Sequence, residues 1–147
     1  YSFAVTMFAS PLAWMELSGL SDQQIETLKP LIALFNRIKS ETGHGHVLPI
    51  GEQPSGTGWT GLQCMTGDKN GYLLAFREYT SEDTGTFQLW GDRSASTRLE
   101  CLVRSEGRQR MEFPGTIERS APSSIGEIRI TLTQPLSFAL YRYSRNE

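Results

Sequence analysis

The chain has 147 residues, enough for one ordinary domain, and its 38% apolar and 20% charged residues are typical of a globular protein. No stretch approaches 18 consecutive apolar residues, so the sequence predicts no membrane-spanning helix. The net charge is −2 and neither half of the chain is basic, which argues against electrostatic binding of nucleic acid.

The first apolar stretch covers residues 2–8, and nearly every position in it is apolar. Such a run is typical of a strand buried on both faces, as in a parallel sheet. Pro11 follows shortly afterwards and would end a strand. We therefore predict a strand here, followed by a loop.

A helix is predicted next, because Ser21 and Gln24 have the spacing of a capping box. Apolar residues then recur at helical spacing, and Gly43 is a natural end for the helix. Pro30 interrupts the pattern, and its missing N–H predicts a kink or a break. The predicted apolar stripe consists of Ile25, Leu28, Leu31, Ile32, Phe35 and Ile38.

Residues 43–58 are rich in Gly and Pro, and we predict a connector rather than an element. From residue 59 onward, short alternating or apolar segments are separated by turns, including an Asn70-Gly71 turn of the kind that favours positive φ. About seven short strands at this spacing are typical of an antiparallel β-sandwich. The predicted strands cover residues 60–66, 72–79, 86–90, 98–104, 109–113, 127–133 and 136–143.

The predicted fold is therefore mainly β: an antiparallel β-sandwich over residues 59–147, preceded by one strand and one kinked amphipathic helix within residues 1–42. The predicted core of the sandwich is Leu62, Cys64, Leu74, Phe76, Leu89, Leu99, Cys101, Ile128, Ile130, Leu132, Phe138 and Leu140. Cys64 and Cys101 lie in apolar runs, which favours two buried free thiols over a disulfide.

Sites for metal or acid–base chemistry are weakly indicated. His44 and His46 could share a metal ion, but no Cys or carboxylate cluster of ligand spacing lies nearby, so we predict no metal and no cofactor. Paired carboxylates can hydrolyse a glycosidic bond, and two groups are candidates. They are Glu16 with Asp22, and Glu78 with Glu82 and Asp83, although each is more typical of solvated surface charge.

The three tryptophans are candidates for stacking on sugar rings, whose C–H faces are apolar. Trp90 falls in an alternating segment and is predicted to belong to the core. Trp59 follows the connector and is predicted to pack the connector onto the sandwich. Trp14 follows the predicted buried strand, where loops of barrels and doubly wound sheets carry their sites.

The order of these segments resembles the C-terminal part of α-galactosidase-like glycoside hydrolases, which have a (β/α)8 catalytic barrel followed by an all-β sandwich. The segments that carry the resemblance are ASPLAWMELSGL (residues 9–20), LPIG (48–51), WTGLQ (59–63) and LAFRE (74–78). On this resemblance, residues 2–8 correspond to the last barrel strand, residues 21–42 to the last barrel helix, and residues 59–147 to the C-terminal sandwich.

The resemblance implies a non-catalytic region that supports the catalytic barrel of the same polypeptide and is inactive alone, since the family's catalytic aspartates lie on earlier barrel strands. It also implies that Ser10, Trp14 and Glu16 lie near the carbohydrate substrate in the intact enzyme. The alternative is a free-standing β-sandwich that binds carbohydrate or protein. We also expect self-association, because the helix stripe needs an apolar cover.

Overall fold

The structure, a computed structural model, describes residues 1–9, 19–91, 97–107, 110–120 and 126–145. It is mainly β, with one short and one long helix, and it confirms the predicted fold class of antiparallel sheets in a sandwich-like arrangement. The elements are α1 (Ser2–Val5), α2 (Asp22–Thr42), β1 (His46–Gly51), β2 (Trp59–Met65), β3 (Asn70–Arg77), β4 (Thr84–Gln88), β5 (Thr97–Glu106), β6 (Arg110–Glu112), β7 (Ile117–Ser120), β8 (Glu127–Thr131) and β9 (Ser137–Arg145).

A large antiparallel sheet forms the middle of the molecule. Its strands follow the order β1-β2-β3-β9-β5-β6, and β7 also pairs with β5. A second sheet contains β4 and β8. Strands β3 and β9 therefore lie at the centre of the large sheet, and β1 forms one of its edges.

Both faces of the large sheet are covered, which produces two separate cores. Along β3, Leu73 and Ala75 belong to the core shared with β4 and β8, whereas Leu74 and Phe76 belong to the core shared with the helices. Because successive side chains of a strand point to opposite faces, a strand that is covered on both sides is apolar at nearly every position. This explains the continuous apolar run of β3.

A β-bulge in β5 moves side chains from one core to the other. Cys101 is paired with Tyr141 and Val103 with Leu140, so Leu102 has no partner in the register. Cys101 belongs to the core beside β4 and β8, and Val103 to the core beside the helices. Two residues that are two positions apart on a regular strand face the same side of the sheet. The extra residue between Cys101 and Val103 makes them face opposite sides.

Helix α2 begins as the sequence predicts, with reciprocal hydrogen bonds between Ser21 and Gln24. It runs through Pro30 without a break, so the predicted break is wrong and the predicted kink stays a prediction. The side chains that it buries against the sheet include Leu34, which the predicted stripe omits. Ile32, which the stripe includes, is exposed.

The predicted strand over residues 2–8 is wrong, because the chain forms α1 and a following turn there. The buried residues Ala4, Met7 and Phe8 have the spacing of one helical face and join the core beneath α2. The turn satisfies its backbone groups locally, as in the bond from Met7 N to Ala4 O at 3.1 Å. A lone strand would need a partner from another sheet.

The predicted connector over residues 43–58 is wrong at its centre, where β1 pairs with β2 from His46↔Met65 to Gly51↔Thr60. Strand β7 is also missing from the prediction. The turn between β2 and β3 is present, but Asn70 and Gly71 already belong to β3, and neither has positive φ. The turn itself lies at residues 66–69.

The predicted core is confirmed except at Leu62, which is only partly buried. Its members divide between the two cores, and Cys64 and Cys101 lie on opposite faces as free thiols. Of the predicted helix stripe, Leu31, Phe35 and Ile38 pack in the core beside the large sheet of the same chain. The sheet thus supplies part of the apolar cover that the helix needs, and self-association stays a prediction.

Candidate functional site

The residues that the resemblance places near a substrate, Ser10, Trp14 and Glu16, lie outside the described residues. The described carboxylates of the second candidate group make local contacts. Glu78 accepts a hydrogen bond from Gly58 N at 3.2 Å, and Asp83 accepts one from the hydroxyl of Thr84 at 3.1 Å. These bonds hold loops in place, which is a structural role.

The histidine pair is accounted for in a similar way. The Nδ1 atom of His44 lies 2.8 Å from Ser40 O, so the ring interacts with the last turn of α2. His46 begins the edge strand β1 and is exposed. Over the described residues, no three His, Cys, Asp or Glu side chains form a group that could hold a metal ion.

Trp59 packs between the two sheets, in keeping with the packing role predicted for it. It is 4% exposed, and its ring meets Phe87 edge to face with centroids 6.1 Å apart. A Cβ atom at Gly85 would lie 2.3 Å from the Trp59 ring, so β4 approaches that ring without a side chain between them. The indole N–H donates to Glu82 O at 3.1 Å. Trp59 is therefore a core residue.

Trp90 differs, since 51% of its surface is exposed, and the prediction that it belongs to the core is wrong. It lies just beyond β4, in a turn with Gly91, whose φ of 66° is in the left-handed region. Its indole N–H donates to Pro49 O, on the edge strand β1, at 2.7 Å. The ring is thus tied to the large sheet while half of its surface faces solvent.

The backbone of Trp90 is held as firmly as its ring. Gln63 makes two bonds to it: Trp90 N donates to the Gln63 Oε1 at 2.7 Å, and the Gln63 Nε2 donates to Trp90 O at 3.2 Å. Arg145 adds a third bond, from its Nη2 to Trp90 O at 2.7 Å. We call Trp90, with Pro49, Gln63 and Arg145, the Trp90 platform.

The two supporting side chains are themselves anchored. Gln63 is fully buried, and its Nε2 also donates to the hydroxyl of Tyr143 at 3.0 Å. The guanidinium of Arg145 lies over the Tyr143 ring, 5.2 Å from its centroid, and donates to Gly91 O at 2.9 Å. A buried amide and a stacked guanidinium fix the position of an exposed ring before any ligand arrives.

The same contacts block the free edge of β1. In antiparallel strands the N–H and C=O of one residue point to the same side. Pro49 has no N–H, and its C=O is occupied by Trp90. Residue 49 therefore offers no backbone group to an added strand, so this edge is built to resist strand addition.

An exposed indole that is already held in one position offers a flat apolar surface. A ligand that binds to it does not have to order the side chain, so less conformational entropy is lost on binding. Such a surface suits a ligand with a flat apolar face, and the C–H face of a sugar ring is one. The sequence contains two signals for an exposed ring. Alternation places Trp90 with Thr86 and Gln88, opposite the buried Phe87 and Leu89, and the Gly91 that follows indicates a turn rather than continued burial.

None of the helices in the described part of the chain has the length and apolar character needed to cross a membrane. Comparisons with protein-family models, with curated proteins and with solved structures give no match.

Proposed function

We propose that this chain is a non-catalytic carbohydrate-recognition module in which Trp90 stacks on the apolar face of a sugar ring. The observation that carries the proposal is the combination of exposure and restraint at Trp90. The Trp90 ring is half exposed, and its indole N–H donates to Pro49 O. The backbone N–H and C=O of Trp90 are hydrogen-bonded to the side chains of Gln63 and Arg145. Fixing a large exposed apolar ring in this way favours recognition of a flat ligand.

We also propose that the module accompanies the catalytic barrel of an α-galactosidase-like glycoside hydrolase. The helix α1 stands where the resemblance implies a barrel strand, so this proposal no longer draws on residues 2–8. Its support comes from the segments at residues 48–51, 59–63 and 74–78, which lie in or beside the neighbouring strands β1, β2 and β3.

At the β1 edge, protein recognition by strand addition is the less favoured alternative. It would need free backbone groups along an edge. On β1, Pro49 and Trp90 remove those groups at the middle of the strand. Side-chain recognition through the exposed indole does not have this obstacle.

The test is a glycan array probed with the wild-type chain and with Trp90→Ala. We expect binding to one class of neutral glycan, and at least tenfold weaker binding by the variant, which corresponds to about 1.4 kcal/mol. The matched control is Tyr79→Ala, which removes an aromatic side chain that is 62% exposed and lies outside the platform.

Circular dichroism and thermal unfolding test whether both variants are folded, and we expect them to be, because Tyr79 is largely exposed and Trp90 half exposed. Absence of glycan binding by the wild-type chain would refute the proposal. Equal losses in the two variants would refute the role of Trp90.

A further inference from the structure

A cavity of about 350 Å³ lies at the end of the large sheet where β2 turns into β3, on the face covered by the helices. Its lining includes Glu41 from the end of α2, Asn70 and Tyr72 from β3, and Arg142 and Ser144 from β9. Three elements thus contribute polar side chains to one concave surface.

A chain of hydrogen bonds runs across the cavity wall. The hydroxyl of Tyr72 donates to Glu41 Oε2 at 2.6 Å and accepts from Arg142 Nη2 at 3.2 Å. The guanidinium of Arg142 also lies over the Tyr72 ring, 5.5 Å from its centroid. Tyr72 is almost fully buried, so it fixes the positions of both charged groups.

The pKa values of Tyr72 and Arg142 are both raised. Burial, together with the hydrogen bond to Glu41, raises the pKa of Tyr72. The hydrogen bond to Tyr72 raises the pKa of Arg142. At neutral pH, Tyr72 is therefore a neutral donor and Arg142 a cation.

Hydrogen-bonding capacity remains after these bonds are made. A guanidinium has five N–H donors, and a carboxylate has a second oxygen. Only Nη2 of Arg142 bonds to Tyr72, and only Oε2 of Glu41 accepts from it. Asn70 and Ser144, two further residues with polar side chains, also line the cavity. The wall therefore presents donors and acceptors together.

The charges around the cavity disfavour an anion. Glu41 is part of the lining, and Glu100 Oε2 lies 3.9 Å from Arg142 Nη1, so one guanidinium faces two carboxylates. A neutral hydroxyl group suits such a surface because it can donate to a carboxylate and accept from a guanidinium. Two neighbouring hydroxyls would use both partners at once.

We propose that this cavity binds a pair of adjacent hydroxyl groups on a neutral sugar, with Glu41 accepting from one and Arg142 donating to the other. Arg142 and the Trp90 platform lie on opposite faces of the sheet, since the neighbouring Tyr143 belongs to the core beside β4 and β8. Tyr143 also lines the cavity and supports the platform from behind, but the two groups proposed to bind the hydroxyls, Glu41 and Arg142, do not belong to the platform. The proposal therefore goes beyond the function proposed for Trp90.

The experiment is an NMR titration of the ¹⁵N-labelled chain with the methyl α-glycopyranosides of galactose, glucose and mannose at millimolar concentrations. We expect at least one of them to shift the amide signals of Asn70, Gly71 and Ser144. Tetrahydropyran-2-methanol, which has a similar ring but no adjacent pair of hydroxyls, should leave these signals unchanged. Glu41→Gln and Arg142→Lys should each weaken the interaction at least fivefold.

The matched control is Arg110→Lys, at an exposed ion pair with Glu112 that lies outside the cavity lining; it should bind like the wild type. Trp90→Ala should also keep the cavity shifts, which separates this proposal from the previous one. Absence of shifts with all three glycosides would overturn the proposal. Shifts caused by inorganic phosphate or acetate and not by the glycosides would overturn it as well, because they would identify an anion site.

Discussion

Arg77 is a charged residue that the fold buries at the end of β3, where it is only 5% exposed. Its guanidinium donates to Leu132 O at 2.6 Å and to Thr80 O at 2.9 Å. It thereby joins the end of β8 to the loop after β3. Buried charge is tolerated where hydrogen bonds replace water, and here backbone carbonyls supply them.

Replacing Arg77 with Met should lower the free energy of unfolding by about 3 kcal/mol, because carbonyl groups at the two loops lose a charged donor. Urea unfolding followed by circular dichroism measures this change. Arg98→Met is the control, since Arg98 is exposed on β5. Similar unfolding midpoints for the two variants would show that the Arg77 bonds do not stabilise the fold.

Cys64 joins the end of α2 to the large sheet. Its thiol is fully buried and donates to Thr42 O across 3.6 Å, and burial raises the pKa of Cys64 to about 11. The turn after α2 comes close, since a Cβ atom at Gly45 would lie 2.5 Å from the Cys64 sulfur. The thiol is therefore shielded from solvent and tightly packed.

This pKa predicts a pH dependence of stability. Above the ordinary thiol pKa of 9.0, the unfolded chain loses the Cys64 proton, while the folded chain retains it up to about 11. The free energy of unfolding contributed by this group is thus fully present below pH 9 and decreases towards pH 11.

Cys64→Ala removes the titrating thiol, so the free energy of unfolding of the variant should lack this pH dependence. The free energy of unfolding of the wild type should therefore fall towards that of the variant as the pH rises from 9 to 11. Urea unfolding at several pH values measures it, and Cys101→Ala is the companion variant for a buried thiol on the other face. A difference independent of pH for Cys64→Ala would contradict the prediction.

At the scale of elements, helix α2 shows which features the periodicity of apolar residues can predict and which it cannot. The spacing of apolar residues identifies the helix and most of its buried face, including Leu31 and Ile38. Periodicity does not show which of Ile32 and Leu34 is buried, because the two residues lie on either side of the centre of the apolar stripe. The choice depends on where the sheet lies, and that is set by residues far away in the chain.

The structure makes this choice testable. Leu34→Ala should lower the free energy of unfolding by about 3 kcal/mol, as is usual for a buried leucine. Ile32→Ala should change it by less than about 0.5 kcal/mol, because Ile32 is exposed. Thermal unfolding of both variants measures the contrast, and a larger loss for Ile32→Ala would mean that α2 packs through a different face.

Strands were predictable where burial produced a clear pattern. β5 and β8 alternate, and β3 and β9 contain apolar runs, at residues 72–76 and 138–141. β1 is different, because it lies at an edge, contains Pro49 and buries only Ile50. Its pattern lacks the period of a strand, and its pairing with β2 shows only in the folded structure.

At the scale of the whole molecule, the sequence predicts the β class and most of the core but not the number of cores. Leu74 and Leu99 both carry the signal of burial, yet they lie on opposite faces of the large sheet. A hydrophobic pattern identifies which residues avoid water and does not identify their neighbours. The apolar run of β3 indicates burial on both faces, but which residues share each core depends on the strand order.

The Trp90 platform illustrates the same limit for the candidate site. Its supporting residues Gln63 and Arg145 are 27 and 55 positions away from Trp90 in the sequence. Within residues 86–90 the alternation places Trp90 on the same side as Thr86 and Gln88, opposite the buried Phe87 and Leu89, so the alternation and the following Gly91 both indicate exposure. The bonds that hold the ring in place come from distant residues, and no local pattern predicts them.

The most direct measurement of the proposed function is acrylamide quenching of tryptophan fluorescence in a Trp14→Phe variant, which retains Trp59 and Trp90. Because Trp59 is 4% exposed and Trp90 51%, quenching in this variant reports mainly on Trp90. A saturating concentration of the glycan selected on the array should cover the ring and markedly lower the quenching constant. Unchanged quenching by acrylamide at a glycan concentration that calorimetry shows to be saturating would contradict a stacking role for Trp90.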